Sequence, residues 1–297
     1  MRIGVFGSEY QAGKQNAIKE LFDRLQEQGA EIWVEDRFHR YLSQAFAFTP
    51  DIRGLITGDT FPLDMVFSLG GDGTFLRTAV WVGRQPVPVL GINTGHLGFL
   101  ADVSTSEIGE IVGEIFRGAY RLEEKSLLQI ASAEPFPGPS PYALNEIAIL
   151  KRDTASMIAV SVYLNDEFLT EYLADGLLLS TPTGSTAYNL SVNGPILLPQ
   201  SGSLVLSPVA PHSLNMRPLV IPENYTLRMR VESRKTNFLV SLDGRSATFP
   251  SGSEFLIRKA DFTLQVVKRL QQSFYDTLRK KLLWGADLRR ETPAKKQ

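Results

Sequence analysis

The string Leu69-Gly70-Gly71-Asp72-Gly73-Thr74 ends an apolar run and opens a stretch with helical spacing. Glycines at three of six positions permit a tight turn with exposed backbone N–H groups. Those groups, with the N-terminus of the helix that follows, suit a phosphate. Asp72 is held at the same point, placed to take a proton from a hydroxyl or to hold a metal, and Thr74 is placed to cap the helix. The two familiar phosphate signatures are absent. From Gly7 to Lys14, five residues separate the glycines where a Walker loop has four, and Gln15 stands where it has Ser or Thr. Gly71-Asp72-Gly73 lacks the third glycine of a dinucleotide fingerprint.

Three further stretches carry polar groups in suggestive patterns. Asn145-Glu146 sits in a β-rich run, 143–150, so alternation predicts that one of the two side chains points to a buried or ligand side. Taken alone, that pair fits a solvated strand face better than a ligand contact. Asp175-Gly176 precedes Ser180-Thr-Pro-Thr-Gly-Ser-Thr-Ala-Tyr-Asn189, a hydroxyl- and glycine-rich loop between apolar runs. Such a loop supplies donors for ribose and phosphate oxygens, and by itself it fits a plain surface loop equally well.

The elements that must position these residues change character along the chain. In the first part, strands at 3–6, 31–35, 65–69 and 87–92 alternate with helices at 13–28 and 74–82. That alternation predicts a parallel sheet covered by helices. After about residue 120 the pattern turns to short β-rich runs, at 142–150, 158–164, 177–180, 225–231, 238–242 and 262–267, with a hairpin tip at Asn165-Asp166. A last helix is predicted over 273–284, with Phe274, Leu278 and Leu282 on one stripe, Lys280 and Lys281 complementing the dipole in the last turn, and Gly285 as the stop. A lone helix after an all-β domain must bury its stripe, and the first domain is its expected partner. The predicted fold is therefore an α/β N-terminal domain (residues 1–120 plus 271–297) and an all-β domain (121–270), with the residues from 294 frayed.

Composition narrows the function classes. Lys and Arg number 31 against 32 Asp and Glu, so the chain has no global footprint for nucleic acid or an anionic membrane, and an anionic ligand must be handled locally. The absence of cysteine excludes disulfides, thiolate zinc sites and a thiol nucleophile. His39, His96 and His212 are far apart and none has HxxxH spacing, which argues against a structural zinc. The first strand is too short for a signal-peptide core and no apolar run approaches a membrane span, so a cytoplasmic protein without a membrane partner is expected.

With Gly70-Gly71-Asp72-Gly73-Thr74, Asn145-Glu146, Asp175-Gly176, Thr183-Gly184-Ser185-Thr186-Ala187-Tyr188-Asn189 and Pro211-His212-Ser213-Leu214 in this order, the chain resembles the NAD kinase family over nearly its whole length. The closing Phe274-Tyr275 and Leu278-Arg-Lys-Lys-Leu-Leu-Trp284 is similar to that family's last helix. The glycine–aspartate string is shared with lipid kinases and more loosely with phosphofructokinases, whereas the Thr-Gly-Ser-Thr-Ala-Tyr loop is far more specific.

The resemblance implies transfer of the terminal phosphoryl of ATP, with Mg²⁺ carried by the nucleotide, to the 2′-hydroxyl of the adenosine ribose of NAD. It implies Asp72 as the acid–base residue and Gly70, Gly71, Gly73 and Thr74 as the phosphate loop, with Gly73 close to the dinucleotide. It implies Asn145 and Glu146 at the ribose and adenine, Asp175 at the nicotinamide side, and Ala210 as a backbone contact. Thr186, Ala187, Tyr188, Asn189, Leu190 and Ser191 would enclose the adenine and ribose. A homo-oligomer, dimer or tetramer, is implied as well. Two positions depart from the family pattern. Leu173 stands where a basic residue is frequent, and Arg245 stands where glutamine is frequent after Asp243-Gly244, leaving Arg245 or Arg77 to neutralise the diphosphate. The competing readings are a soluble lipid kinase of the diacylglycerol or sphingosine type and a non-catalytic NAD(P) sensor. No basic amphipathic helix favours the first, and an intact Asp72 argues against the second.

Overall fold

The computed structural model describes residues 1–283 except 10, 12, 59–60, 96–97, 153–155 and 235–236. His96, Trp284, Gly285 and the tail from 294 lie outside the described residues. The chain divides into two compact units: 1–75 with 87–123 and 266–297, and 76–86 with 124–265.

The first unit is built on β1 (Arg2–Gly7), β2 (Glu31–Glu35), β3 (Gly54–Ile56), β4 (Met65–Leu69), β5 (Val89–Asn93) and β6 (Val103–Ser104). The first five lie in the order β5-β4-β1-β2-β3, all parallel, with Val5 opposite Phe67 and Phe67 opposite Leu90. All residues of β4 and β5 are buried, as expected of parallel strands covered on both faces. Its helices are α1 (Gln15–Glu27), α2 (Asp36–Phe46), the start of α3 (Asp72–Val82) and α4 (Ile108–Phe116). Ile18, Leu21, Phe22 and Leu25 of α1 join Ile108, Ile111, Val112 and Ile115 of α4 in one core. Strand β1 has β2 on one side and β4 on the other, so the chain winds outward in both directions from that pair. The loops after β1 and β4 therefore lie at a topological switch point, where open parallel sheets bind ligands.

The second unit contains β7 (Tyr120–Ser132) from residue 124 on, β8 (Tyr142–Ala143), β9 (Glu146–Lys151), β10 (Ile158–Leu164), β11 (Glu167–Ala174), β12 (Gly176–Ser180), the short α5 (Tyr188–Ser191), β13 (Ser203–Val209), β14 (Leu219–Pro222), β15 (Leu227–Ser233), β16 (Asn237–Leu242), β17 (Arg245–Pro250) and most of β18 (Glu254–Arg269). Among the described residues, β14-β13-β12-β9-β16-β17 form an antiparallel sheet of six strands. Strands β11, β10, β15 and the first part of β18 form a second run of antiparallel pairs. Alternate residues Ile158, Val160 and Val162 of β10 and Ile147 and Ile149 of β9 meet in a common core with Phe238 and Phe255. The hairpin tip is where the sequence put it: Asn165 and Asp166 have φ of +47° and +68°, the pair of left-handed residues that a tight two-residue turn requires. The predicted strand 262–267 is instead the end of a 16-residue strand, β18, whose residues from Val266 belong to the first unit and pair with β5 at Val89.

Helix α6 (Phe274–Leu282) belongs to the first unit, as the unpartnered stripe demanded. Ser273 caps it with a reciprocal Ser273–Asp276 capping box. Leu278 is buried, and the Phe274 ring lies 6.4 Å from that of Phe99.

Candidate active site

Helix α3 starts at Asp72, earlier than a Thr74 cap predicts, so Thr74 lies buried in its first turn. Gly71 and Gly73 are exposed. The first N–H groups of a helix have no intrahelical acceptor, so this exposed turn presents donors for an anion.

Both oxygens of Asp72 are engaged. Oδ1 accepts the N–H groups of Leu100 (3.1 Å) and Ala101 (3.0 Å), and Oδ2 accepts that of Phe99 (3.0 Å). A carboxylate has about four acceptor positions, so one is left without a hydrogen-bond donor among the described residues. The loop carrying these donors approaches closely because residue 98 is glycine: a Cβ there would fall 1.9 Å from Asp72 Oδ1. On the Oδ2 side, Lys281 Nζ of α6 lies 3.7 Å away. Residues 98–101 and Lys281 were invisible as neighbours of Asp72 from sequence, since backbone donors leave no residue-type signature.

In the second unit the expected strand over 143–150 is interrupted: β8 ends at Ala143 and β9 starts at Glu146. The cause is Asp243, left-handed at φ +49° in the turn between β16 and β17. Its carboxylate accepts the N–H groups of Leu144 (2.7 Å), Asn145 (2.8 Å) and Glu146 (3.2 Å). Alternation consequently fails at this point. Asn145 and Glu146 are both buried, and Asn145 Oδ1 and Glu146 Oε2 have no hydrogen-bond partner among the described residues. Burial, and secondarily the Asp243 charge, push the Glu146 carboxyl up to about 7 against the N–H that Tyr188 donates to it. Burial also raises Asp243, opposed by its three backbone donors. Ser180 stands directly opposite Glu146 across β12 and β9, and its buried Oγ is likewise unpartnered. Buried polar atoms are nearly always satisfied, so Asn145 Oδ1, Glu146 Oε2 and Ser180 Oγ are three acceptor or donor groups left available to a polar ligand.

The Ser180–Asn189 loop is clamped to the same region. Thr181 Oγ1 donates to Leu144 O (2.6 Å), and Thr181 N–H donates to Asn145 O (2.9 Å). A Cβ on Gly184 would fall 2.0 Å from Asn145 O, so only glycine passes there. The predicted contact residues divide into two groups. Tyr188 is exposed, and Thr186, Ala187 and Leu190 are half-buried around it. Asn189 is fully buried, and its amide donates to Ser185 O and Pro195 O while its Oδ1 accepts from Ser207 Oγ, so its side chain holds the loop instead of facing a ligand. Ser191 and Ala210 are exposed, the latter left-handed at φ +44°.

Asp175 pairs with Lys151, Nζ to Oδ1 2.7 Å, so a lysine from β9 provides a cation beside Asp175 although Leu173 does not. Arg245 donates to the carbonyls of Ser140 (2.9 Å) and Tyr142. Arg245 is half-buried, its Nε is buried with no hydrogen-bond partner among the described residues, and burial lowers its basicity against the pull of Asp243. Arg77 is half-buried on α3. Among the described residues no group of three or more His, Cys, Asp or Glu comes together to hold a metal.

The ATP-NAD kinase N-terminal domain family matches residues 3–120, and the ATP-NAD kinase C-terminal domain family matches residues 144–269. The chain belongs to the NAD kinase family. It is 50% identical over 289 residues to an NAD kinase of Bacteroides fragilis, covering 97% of this chain and all of that one. It is 47% identical over 291 residues to an NAD kinase of Porphyromonas gingivalis, covering 97% and 99%. Among solved structures, the fold matches a yeast NADH kinase complexed with NADH, with a TM-score of 0.85 at 24% identity over 97% of this chain and 89% of that one. An NAD kinase from Archaeoglobus fulgidus in complex with ATP matches with a TM-score of 0.72, also at 24% identity, over 95% and 97%.

Proposed function

We propose that this NAD kinase transfers the terminal phosphoryl of ATP to the 2′-hydroxyl of the adenosine ribose of NAD, forming NADP and ADP. The observation that carries the reading is Asp72: a carboxylate at an exposed helix start, held by three backbone donors and with one acceptor position lacking a hydrogen-bond donor among the described residues. A ribose hydroxyl is a poor nucleophile, so transfer needs it in line with the phosphate, with its proton accepted late and the phosphate charge masked. Asp72 accepts that proton, which is worth roughly 10²–10⁴-fold in rate. Of the loop residues Gly70, Gly71, Gly73 and Thr74, the exposed Gly71 and Gly73 offer their amides to the phosphates, whereas the N–H groups of Gly70 and Thr74 donate to Ile92 O (2.9 Å) and Gly71 O (3.0 Å) and hold the turn.

Asn145 Oδ1 and Glu146 Oε2, the unpartnered buried acceptors, receive ribose hydroxyl and adenine amino donors. Thr186, Ala187, Tyr188, Leu190 and Ser191 enclose the adenosine, with Asn189 acting through its backbone. Asp175 reads the nicotinamide side and Ala210 offers its backbone. Arg77 neutralises diphosphate charge, whereas Arg245 fixes the Ser140–Tyr142 backbone. The donor enters as its magnesium complex, a usual arrangement in which phosphates supply most of the ligands. Residues 1–120 with 271–297 carry the phosphoryl turn and Arg77, and 121–270 the other dinucleotide contacts, in a cytoplasmic enzyme assembled as a dimer or tetramer. No helix among the described residues is long and apolar enough to cross a membrane.

The test is incubation with NAD, ATP and Mg²⁺, followed by an assay for NADP, with diacylglycerol and sphingosine as alternative acceptors. NADP is the expected product. Lipid phosphate without NADP would overturn the reading.

A further inference from the structure

We propose that Lys281 is a working cation of the phosphoryl-transfer step: its ammonium, which rests beside Asp72, moves onto the terminal phosphate of the donor nucleotide when that nucleotide binds. The proposal rests on the reading of Asp72 as the proton acceptor.

The sequence offers a bland role for this residue, a positive charge complementing the dipole at the end of α6. The structure directs it elsewhere. Lys281 Nζ is 3.7 Å from Asp72 Oδ2 and 4.5 Å from the centroid of the Phe99 ring. Phe99 is also the residue whose N–H donates to Asp72 Oδ2, and whose ring meets Phe274. Phe274 and Lys281 are seven residues apart, two turns on one face of α6, and both meet Phe99. The capping box at Ser273 fixes where the helix starts and so fixes the position of Lys281 along it. Three backbone donors already hold Asp72, so the lysine is not needed to anchor the carboxylate. At 3.7 Å it lies beyond hydrogen-bond distance, so its three N–H donors are not committed to Asp72.

Charge explains why a cation belongs there. A polyphosphate must approach a turn that already bears a carboxylate, and negative charge persists on the phosphoryl oxygens through transfer. With Lys281 adjacent, the repulsion is relieved without a large rearrangement. In the step, the ribose oxygen bonds to phosphorus and the bond from phosphorus to the ADP oxygen breaks. The hydroxyl proton passes to Asp72 and then to solvent, and Lys281 keeps all its protons throughout.

The test compares Lys281→Ala, Lys281→Arg and, as a neighbouring control on the same helix, Lys280→Ala, with wild-type enzyme in parallel. Lys281→Ala should lower kcat by about 10²-fold, the low end for removing one charge stabiliser because the side chain is partly exposed. KM for NAD and the melting temperature should stay near wild type. Lys281→Arg should recover part of the rate, as should ethylamine added to Lys281→Ala, and Lys280→Ala should behave as wild type. The proposal is overturned by a Lys281→Ala turnover within about twofold of wild type. It is equally overturned by a loss that neither arginine nor ethylamine recovers. Absence of NADP from the wild-type enzyme would instead sink the parent reading, and this inference with it.

Discussion

Asp72 makes three hydrogen bonds that an amide cannot reproduce. Whichever way a substituted asparagine side chain turns, its NH₂ faces at least one backbone donor of 99–101. Asp72→Asn should therefore lose stability, about 1–3 kcal/mol for an unmet N–H, besides the catalytic loss. The turnover at saturation should fall by about two to four orders of magnitude, with NAD affinity little changed. Melting temperature, NAD affinity and turnover measured together separate the two effects; near-normal turnover in a folded Asp72→Asn enzyme would remove Asp72 from the chemistry. Glu146 gives a second test. Its carboxyl is raised to about 7 in the folded protein, well above the value of an exposed glutamate. In the window between those two values the folded state holds a proton that the unfolded state has released. Stability therefore declines as pH rises from about 4.5 to about 7 and is level above, with up to about 3 kcal/mol at stake. Glu146→Gln should flatten that decline in pH-dependent melting curves, and should weaken NAD binding most above pH 7, where the wild-type acceptor is ionised. A variant with an unchanged slope would mean that Glu146 titrates normally.

Helix α6 holds the loop that holds Asp72. Ending the chain before Ser273 removes Leu278 from the core and takes away the ring partner of Phe99, and the lost leucine burial alone is worth roughly 1.5–3 kcal/mol. Hydrogen exchange at the amides of 99–101 should quicken in the truncated protein, and unchanged protection there would show that α6 only decorates the unit. The stripe of α6 was readable because Phe274, Leu278 and Leu282 repeat every four residues. Helix α4 was not, although Ile108, Ile111, Val112 and Ile115 have helical spacing, because Gly109 and Gly113 weaken the helix signal and the β-branched residues suit a strand equally well. Helix α2 buries only Phe38 and Leu42 and gave still less signal. Among the site residues, the glycines announced Asp72, whereas the Asp243 carboxylate that breaks the strand at 144–146 acts across about a hundred residues through backbone groups.

On the scale of the molecule, the order of element types along the chain separated a helix-covered parallel sheet from an all-β unit. It could not foresee that 76–86 groups with the second unit, because one helix, α3, starts in the first and continues in the other. A ligand bound only by the folded state stabilises it: NAD at a hundred times its dissociation constant should add about 2.7 kcal/mol. A rise in melting temperature with NAD, and none with diacylglycerol, is the expected result; no shift with NAD would contradict the unpartnered acceptors of the second unit being a dinucleotide site. The first unit also draws on three separate stretches of chain, the last of them entered through β18. During synthesis, strands β1 to β5 leave the ribosome early, but Val266, which pairs with β5, and the helix bearing Lys281 follow only after the whole stretch 124–265. The second unit can close as it emerges, while in the first unit β6 pairs with the Ile92–Asn93 end of β5 and the Val89 end waits for its partner. A nascent chain stalled before residue 266 thus lacks the helix that pins Phe99 to Asp72, and phosphoryl transfer becomes available only once translation has passed that point.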